Sequence, residues 1–280
     1  MSDWPSLPLE ACDCHTHVFE AADDFPFAHP PSYAPPYAPA EMHRAMLEAN
    51  ALSRGVIVQP TPYGTDPEVM LRALRLAGGR LRGVGVATRD TDAATLADMK
   101  AGGIIALRFV ENRLPDGSPY LGAVALDELF EIAPVMRDLG WHAETWAPLS
   151  TVIASSAKLE KTGLPIVLDH MGGFNVDHGL AHAEFQRLLA MVREGLVWVK
   201  LVVCRRVPSG SDFEILRPFH DALIEANSDR MLWGTDWPFV RMEKPPEAGT
   251  LLDLFQQWTG DAALRHRILV DNPRSRYGFD

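Results

Sequence analysis

Asp13-Cys14-His15-Thr16-His17 stands at the end of the first apolar run of this 280-residue chain and decides its fold. An open, doubly wound nucleotide-binding sheet would carry a glycine-rich phosphate loop at this point. The chain instead carries two histidines at positions i and i+2, and on an extended segment such side chains point to the same side. The stretch therefore favours a closed barrel, with both imidazoles directed into its mouth.

Seven more short apolar runs follow, separated by helix-like stretches. We expect strands at residues 11–15, 54–59, 83–87, 103–109, 141–145, 165–170, 196–201 and 230–236. Apolar residues along the whole of each run indicate parallel strands that are covered on both faces. Between them, stretches such as 67–77 carry apolar residues at three-to-four spacing, which is typical of amphipathic helices. The pattern predicts an α/β fold in which residues 1–280 form a single (β/α)8 TIM-type barrel.

Two loops interrupt this alternation of strands and helices. Residues 25–39 contain six prolines, and residues 111–120 contain Pro115, Gly117 and Pro119. Both segments follow strands, so we expect rim loops at about residues 20–40 and 110–120, on the face formed by the C-terminal strand ends. The active sites of such barrels lie on that face.

Composition and charge exclude broad classes of partner. The formal net charge is -11, and no basic stripe could neutralise phosphates, so we expect no nucleic-acid partner. No run of about 18 apolar residues could cross a bilayer, and residues 1–5 lack the features of a signal peptide. Three cysteines without a CxxC pair are typical of reduced thiols. We therefore expect a cytoplasmic protein with no membrane partner, either a monomer or a small homo-oligomer.

The strongest chemical signal combines two histidines at the end of strand one with a carboxylate at the end of strand eight. Imidazole binds zinc and its first-row neighbours, so His15 and His17 are candidate ligands of one ion. Asp236 follows Gly234-Thr235 at the end of the last strand. A carboxylate there can bind a metal through one oxygen and accept a proton from water with the other. The alternative for Asp236 is a helix N-cap or a surface position.

Strands five and six add two candidates. His170 precedes Met171 and two glycines, which we expect to leave room for a ligand; the alternative is a histidine satisfied within the core. Glu144 lies in an otherwise apolar strand, where a charged carboxylate is costly unless it is paired or metal-bound. We favour a site role for Glu144 over an ion pair, and we expect His142 only to brace its neighbours.

Arginines after strands four and seven form the last group of candidates. They are Arg108, Arg113, Arg205 and Arg206. A guanidinium binds a carboxylate through two parallel hydrogen bonds, so several of them directed at one mouth predict a dianionic substrate. Solvated surface charge is the alternative, and for Arg113 or Arg205 taken singly it is almost as good an interpretation.

These residues resemble the amidohydrolase superfamily, specifically its amidohydrolase-2 branch and the group that contains 2-pyrone-4,6-dicarboxylate lactonase. The similarity runs from about residue 13 to residue 277. Its motifs are short, but their order and spacing together are specific. They are DCHTHVFE, GVIVQPTPYGTD, GGIIALRF, LPIVLDHMGG, MLWGTDWP and DNPRSRYG.

The resemblance implies a barrel that hydrolyses cyclic esters formed in aromatic-acid or sugar-acid catabolism. It implies that Asp236 is the general base and that His15, His17 and His170 polarise the lactone carbonyl. It further implies that the substrate is held by three arginines, a loop tyrosine and a strand-two hydroxyl. These are Arg108, Arg206, Arg113, Tyr33 and Thr61.

The chain departs from that group on strand five. Glu144 and Trp146 stand where the pyrone dicarboxylate lactonase has an apolar residue followed by a tyrosine. That lactonase has no obligatory metal, whereas related lactonases bind one. The added carboxylate leads us to expect one divalent metal, zinc or manganese, held by His15, His17, Glu144 and Asp236. We expect Trp146 to contact the substrate, and the change makes pyrone dicarboxylate itself a doubtful substrate.

The sequence therefore predicts a metal-assisted lactonase that opens a small carboxylated lactone by water attack on the ring ester carbonyl. Two other enzyme activities stay open: a metal-dependent decarboxylase of an aromatic or unsaturated acid, and a lactone isomerase. A non-catalytic small-acid binding protein is a fourth interpretation, since barrels host many functions. The complete set of His15, His17 and Asp236 argues against it.

Overall fold

The structure, a computed structural model, describes residues 7–280 and confirms the predicted barrel. Each of eight strands pairs in parallel with the next one along the chain. The strands are β1 (Cys12–Thr16), β2 (Arg54–Val58), β3 (Leu81–Gly85), β4 (Ile104–Val110), β5 (His142–Trp146), β6 (Ile166–Leu168), β7 (Val197–Leu201) and β8 (Met231–Trp233). The N–H groups of Asp236 and His17 donate to the carbonyls of His15 and Trp237, which joins the end of β8 to β1.

Helices connect the strands and cover the outside of the barrel. They are α1 (Ala40–Ala49), α2 (Glu68–Ala77), α3 (Ala93–Ala101), α4 (Leu126–Asp138), α5 (Leu149–Lys161), α6 (Ala183–Arg193), α7 (Arg217–Asn227), α8 (Ala248–Trp258), α9 (Ala262–His266) and α10 (Asn272–Tyr277). In the predicted 67–77 helix, Val69 and Leu74 lie on the buried face of α2. This helix ends at Gly78, whose left-handed backbone is typical of a helix C-terminus.

Alternation along the strands divides the apolar side chains into two layers. One layer packs between the strands and the helices, and it contains residues such as Leu107 and Val199. The other lies on the inner face of the barrel, where Ala106 and Trp198 belong to a smaller cluster. Cys12 and Cys14 also belong to this inner cluster as buried free thiols, which agrees with a structural role.

Strands β6 and β8 end earlier than predicted. We expected them to continue to His170 and Asp236, but they end at Leu168 and Trp233. The reason is local backbone geometry, because His170 (φ 49°) and Asp236 (φ 65°) adopt the left-handed conformation, which cannot continue a strand. Non-glycine residues held in this region are strained, and they concentrate at functional sites.

The two proline-containing segments follow β1 and β4, at the C-terminal ends of these strands. Phe19 pairs with Ala38 across the first loop, and Arg113 pairs with Pro119 across the second. Among the described helices, none combines the length and the apolar character that a bilayer crossing would need.

Candidate active site

The candidate site is a cavity of about 250 Å³ at the C-terminal ends of the strands. It lies where active sites of this architecture are found. The cavity is lined by His17, Tyr33, Pro60, Thr61, Arg108, Asn112, Tyr120, Trp146, His170, Arg205, Arg206, Asp236, Val240 and Arg241.

Asp236 forms the centre of the site and is surrounded by three imidazoles. Its Oδ1 lies 3.0 Å from His17 Nε2 and 3.5 Å from His15 Nε2, and its Oδ2 lies 3.8 Å from His170 Nε2. The carboxylate is 2% exposed. The structure therefore brings together the four residues that the strand ends predicted.

Asp236 is held in its ionised form. Burial by itself would raise the pKa of this carboxyl, but the guanidinium of Arg205, which donates to Oδ2, and the imidazoles of His17 and His170 together outweigh burial and hold the pKa well below its usual value. A carboxylate that is ionised at neutral pH can accept a proton from water. Burial also lowers the pKa of His15 to about 3, so this imidazole is neutral.

Local packing explains the glycines that flank these residues. A Cβ on Gly234 would lie 2.8 Å from His15 Cβ, so only glycine lets β8 approach β1 this closely. A Cβ on Gly173 would lie 2.1 Å from the Ala147 carbonyl oxygen, and one on Gly172 would meet Leu188. The prediction that the glycines after His170 leave room for a ligand is wrong, because they make room for neighbouring protein atoms.

Glu144 does not join the histidines at Asp236. It is fully buried and forms an ion pair with the ammonium of Lys200, and its other oxygen accepts the hydroxyl of Tyr277 at 2.9 Å. The expected metal shell of His15, His17, Glu144 and Asp236 therefore needs correction at Glu144. The charge that burial made costly is balanced by a lysine from β7, which is the alternative we had judged weaker.

Two groups of donor atoms in the barrel are close enough to hold a cation. His15, Glu144 and Asp169 form one of them, but the ammonium of Lys200 already contacts all three residues. In the other group, donor atoms of His15, His170 and Asp236 all lie within 4.8 Å of one another. Both ring nitrogens of His170 are buried without a hydrogen-bond partner among the described residues. This second group could therefore hold a divalent metal.

His17 also fits a metal ligand. Its Nδ1 lies 2.6 Å from the carbonyl oxygen of Val58, which only accepts, so Nδ1 carries the proton and Nε2 offers a lone pair. A histidine that binds a metal usually donates its other ring nitrogen in this way. The lone pair faces Asp236 Oδ1, another acceptor, and two acceptors 3.0 Å apart need a cation or a proton between them.

The arginines differ in whether a carboxylate balances them. Arg108 donates to Asp169 Oδ2 through Nε at 3.0 Å, with Nη2 also 3.0 Å from this oxygen, and Arg205 donates to Asp236. Arg206 and Arg241 have no such carboxylate partner among the described residues. Arg206 lies over the Phe174 ring with its Nε unbonded, and Arg241 donates to the Tyr120 hydroxyl.

The loop residues expected to hold the substrate are only partly brought together. Tyr33, Thr61 and Trp146 line the cavity with Arg108 and Arg206. Arg113 does not line it; this side chain is exposed and donates to the Gly117 carbonyl across its own turn.

Sequence reasoning missed three contributors to the site. Lys200 interrupts an apolar strand, as Glu144 does, and pairing the two charges would have found it. Asp169 directly precedes His170, and its contact with Arg108 joins the ends of β6 and β4, which are separated by β5. Arg241 lies in a loop after β8 and carried no pattern of its own; its guanidinium stacks 5.3 Å from the ring of Trp146.

Comparison with known proteins agrees with this geometry. The amidohydrolase family model matches residues 12–279. The chain belongs to this family. Among its relatives, 4-sulfomuconolactone hydrolase of Rhizobium radiobacter is 34% identical over 98% of this chain and 91% of the relative. The 2-pyrone-4,6-dicarboxylate hydrolase of Comamonas testosteroni is 33% identical over 97% of this chain and 91% of the relative.

A solved structure of a putative 2-pyrone-4,6-dicarboxylic acid hydrolase from Pseudomonas putida is similar throughout. It shares 33% identity and a TM-score of 0.82, and the match covers 98% of this chain and 99% of that one. The predicted family and the predicted barrel are both confirmed, and the protein is an enzyme of the amidohydrolase family.

Proposed function

We propose that this amidohydrolase opens a small lactone that carries two acid groups, by water attack on the ring ester carbonyl. The observation that carries the proposal is the ionised, buried Asp236 among three imidazoles, in a cavity whose guanidiniums outnumber its carboxylates. The two relatives at 33–34% identity, both named as hydrolases of such compounds, support it.

The charge balance of the cavity supports a dianionic substrate. Arg108 and Arg205 are neutralised by protein carboxylates, which leaves Arg206 and Arg241 as two positive charges without a partner among the described residues. Arg206 is half-buried, and a charge shielded from water is costly unless it is paired, whereas Arg241 is exposed and lines the cavity from the loop after β8. Two acid groups on the substrate would pair both guanidiniums through charge-assisted hydrogen bonds.

The proposed reaction consumes one water. Asp236 takes a proton from the water as the water oxygen attacks the carbonyl carbon, and a neighbouring imidazole N–H stabilises the oxyanion. The ester C–O bond then breaks, and Asp236 returns the proton to the leaving alkoxide or enolate oxygen. The product is a ring-opened acid that carries one carboxylate more than the substrate.

The walls of the cavity orient the ring. Tyr33 and Thr61 offer hydroxyl groups, and Trp146 presents an indole that lies 5.9 Å from the His170 ring, centroid to centroid. These contacts, with the arginines, bind substrate and transition state alike, whereas Asp236 and the imidazoles act on the reacting atoms.

A divalent metal, zinc or manganese, is part of the proposal. The residues that would hold it are Asp236 and those of the imidazoles facing it that offer a lone pair, a donor type that suits these ions. When bound, such an ion polarises a carbonyl and lowers the pKa of a bound water from 15.7 toward about 7. We also propose a cytoplasmic location and a role in acid catabolism; the three buried free thiols support a reducing compartment.

The experiment is a substrate screen with the Asp236→Asn variant. Carboxylated lactones are offered to the purified enzyme while a pH-stat records acid release, a second assay records carbon dioxide, and mass spectrometry reports the addition of one water. We expect ring opening without carbon dioxide, and a loss of about 10²- to 10⁴-fold in kcat for the variant.

Three outcomes would contradict the proposed function. A folded Asp236→Asn enzyme with wild-type turnover would show that Asp236 is not the general base. Release of carbon dioxide would identify the enzyme as a decarboxylase. A product of unchanged mass with another ring size would identify it as an isomerase. Arg113→Met is the matched control, because this arginine lies outside the cavity, and it should keep full activity.

A further inference from the structure

A buried lysine lies directly beneath the catalytic centre. Lys200 is the last residue but one of β7 and is 0% exposed. Its ammonium contacts Glu144 Oε2, and it lies 3.2 Å from His15 Nδ1 and 3.5 Å from Asp169 Oδ1. A lysine is almost never fully buried unless it is paired, so this position calls for a specific reason.

The contacts of Lys200 define which nitrogen of His15 carries the proton. An ammonium has three N–H donors and no acceptor. Its hydrogen bond to His15 therefore requires a lone pair on Nδ1, and the ring proton must be on Nε2. That Nε2 has no hydrogen-bond partner among the described residues and lies 3.5 Å from Asp236 Oδ1.

We propose that Lys200 is a positioning residue that holds His15 with its proton on Nε2, so that His15 presents an N–H to the reacting carbonyl oxygen. His15 then acts on the oxygen that becomes negative as water attacks. Lys200 itself touches neither substrate nor reacting atoms; it acts through the ring of His15.

His17, the second histidine of the motif, has the opposite tautomer, with its proton on Nδ1. The partner of His17 Nδ1 is the carbonyl of Val58, so His17 offers a lone pair at Nε2. A metal ligand must offer a lone pair, and in the tautomer that Lys200 selects the lone pair of His15 is on Nδ1, so Nε2 offers none toward Asp236. The two histidines of the His-x-His motif therefore have different roles. His15 donates a hydrogen bond, and His17 is the one suited to bind a cation.

Asp169 is the competitor of Lys200 at this imidazole. Its Oδ1 lies 3.2 Å from His15 Nδ1 and has no hydrogen-bond partner among the described residues. Without the ammonium, Nδ1 would carry the proton and donate to this oxygen, which frees the Nε2 lone pair. Lys200 thus weakens metal binding by His15 while it favours hydrogen-bond donation.

Glu144 and Tyr277 hold the lysine in place. Glu144 accepts the ammonium with one oxygen and the hydroxyl of Tyr277 with the other, and both residues are buried. This arrangement explains why the barrel interior tolerates two opposite charges, one on β5 and one on β7. Because the two charges neutralise each other, replacing Lys200 and Glu144 together leaves the net charge of the barrel interior unchanged.

The test compares the double variant Lys200→Met, Glu144→Gln with Glu144→Gln alone. The double variant removes one charge of each sign, and the single variant keeps the lysine, because glutamine can turn its oxygen toward Lys200. Nitrogen-15 NMR of the metal-free protein reports which ring nitrogen of His15 is protonated, and the His15→Gln spectrum assigns the signals. Circular dichroism confirms that each variant is folded.

We expect the proton on Nε2 in the wild type and in Glu144→Gln, and on Nδ1 in the double variant. Zinc titration by calorimetry should show roughly tenfold or tighter binding for the double variant only, as expected for one hydrogen bond to a charged group. With the substrate found by the screen, kcat should fall about 10²-fold, the effect of losing one oxyanion donor, while KM stays within a few-fold.

A wild-type proton on Nδ1 overturns the inference, as does a double variant with unchanged tautomer and zinc affinity. The kinetic part rests on the proposed function, but the NMR and calorimetric parts use no substrate. If the enzyme proves not to be a lactonase, those two measurements still decide the role of Lys200. If the enzyme proves to be a lactonase but His15 has the other tautomer, only the assignment of His15 as the oxyanion donor is wrong.

Discussion

Arg206→Met tests the charge balance on which the substrate class depends. The guanidinium lines the cavity 5.2 Å from the Phe174 ring, and burial without a partner lowers the pKa of Arg206 to about 10. A hydrogen bond to a charged group contributes about 1.5–3 kcal/mol. At about 1.4 kcal/mol per tenfold, the variant should lose roughly 10- to 150-fold in kcat/KM with a dianionic lactone.

The same change should leave the free protein at least as stable as the wild type. Methionine retains an apolar contact with Phe174, and it removes a half-buried charge that has no carboxylate partner among the described residues. Loss of activity with an unchanged or raised melting temperature would therefore separate a binding role from a structural one. The loss should lie mainly in KM, because this arginine binds ground state and transition state alike.

The assay is steady-state kinetics with a dianionic lactone and with the two analogues that each lack one acid group. One analogue should be turned over equally by the wild type and by Arg206→Met, because it lacks the group that Arg206 binds. Arg113→Met is the control and should match the wild type with all three compounds. Equal kcat/KM for Arg206→Met and wild type on the dianion, or an equal loss in Arg113→Met, would refute the reasoning.

Three further predictions concern the carboxylates and the packing beneath the site. Arg205→Met should raise the pKa of Asp236, because the guanidinium is the largest of the influences that oppose burial, and the acid limb of kcat/KM should move to higher pH. Burial raises the pKa of Asp13 to about 6, so the folded state binds this proton more tightly than the unfolded state. The Asp13 contribution to stability should therefore fall by about 3 kcal/mol as pH rises from about 4 to above 6, and Asp13→Asn should abolish this change in urea unfolding. Gly234→Ala should displace His15, since the new Cβ would lie 2.8 Å from His15 Cβ, and turnover should be lost.

Each of these predictions has a clear contrary result. An acid limb that does not move in Arg205→Met would mean that another group keeps Asp236 ionised. Parallel pH profiles of unfolding for Asp13→Asn and wild type would mean that Asp13 titrates normally. Gly260→Ala is the control for the glycine test, because nothing lies within 4 Å of the added methyl group, and it should remain fully active.

Much of the architecture could be predicted from the sequence because its causes are local. Each strand is a short apolar run, and each helix repeats apolar residues at three-to-four spacing, so the periodicity alone predicts alternating strands and helices. His15, His17 and Asp236 were found because in a parallel barrel all strands end at one rim. Their approach to within hydrogen-bond distance follows from that geometry.

The errors arose where one residue has two possible partners. Glu144 was assigned to a metal because an isolated carboxylate in a strand needs a cation, and sequence does not tell an ion from an ammonium two strands away. Arg113 and Arg241 are both loop arginines at the rim. Only the path of each loop decides that Arg241 lines the cavity and Arg113 faces solvent.

The sequence by itself determined the barrel, the family and the side chains that carry the chemistry, since these follow from periodicity and from residue identity. The tertiary structure alone decided the state of each group. Lys200 faces His15 and the Val58 carbonyl faces His17, so two identical imidazoles receive opposite tautomers. A proton's position depends on the atoms within about 3 Å of it, and residues distant in sequence supply those atoms.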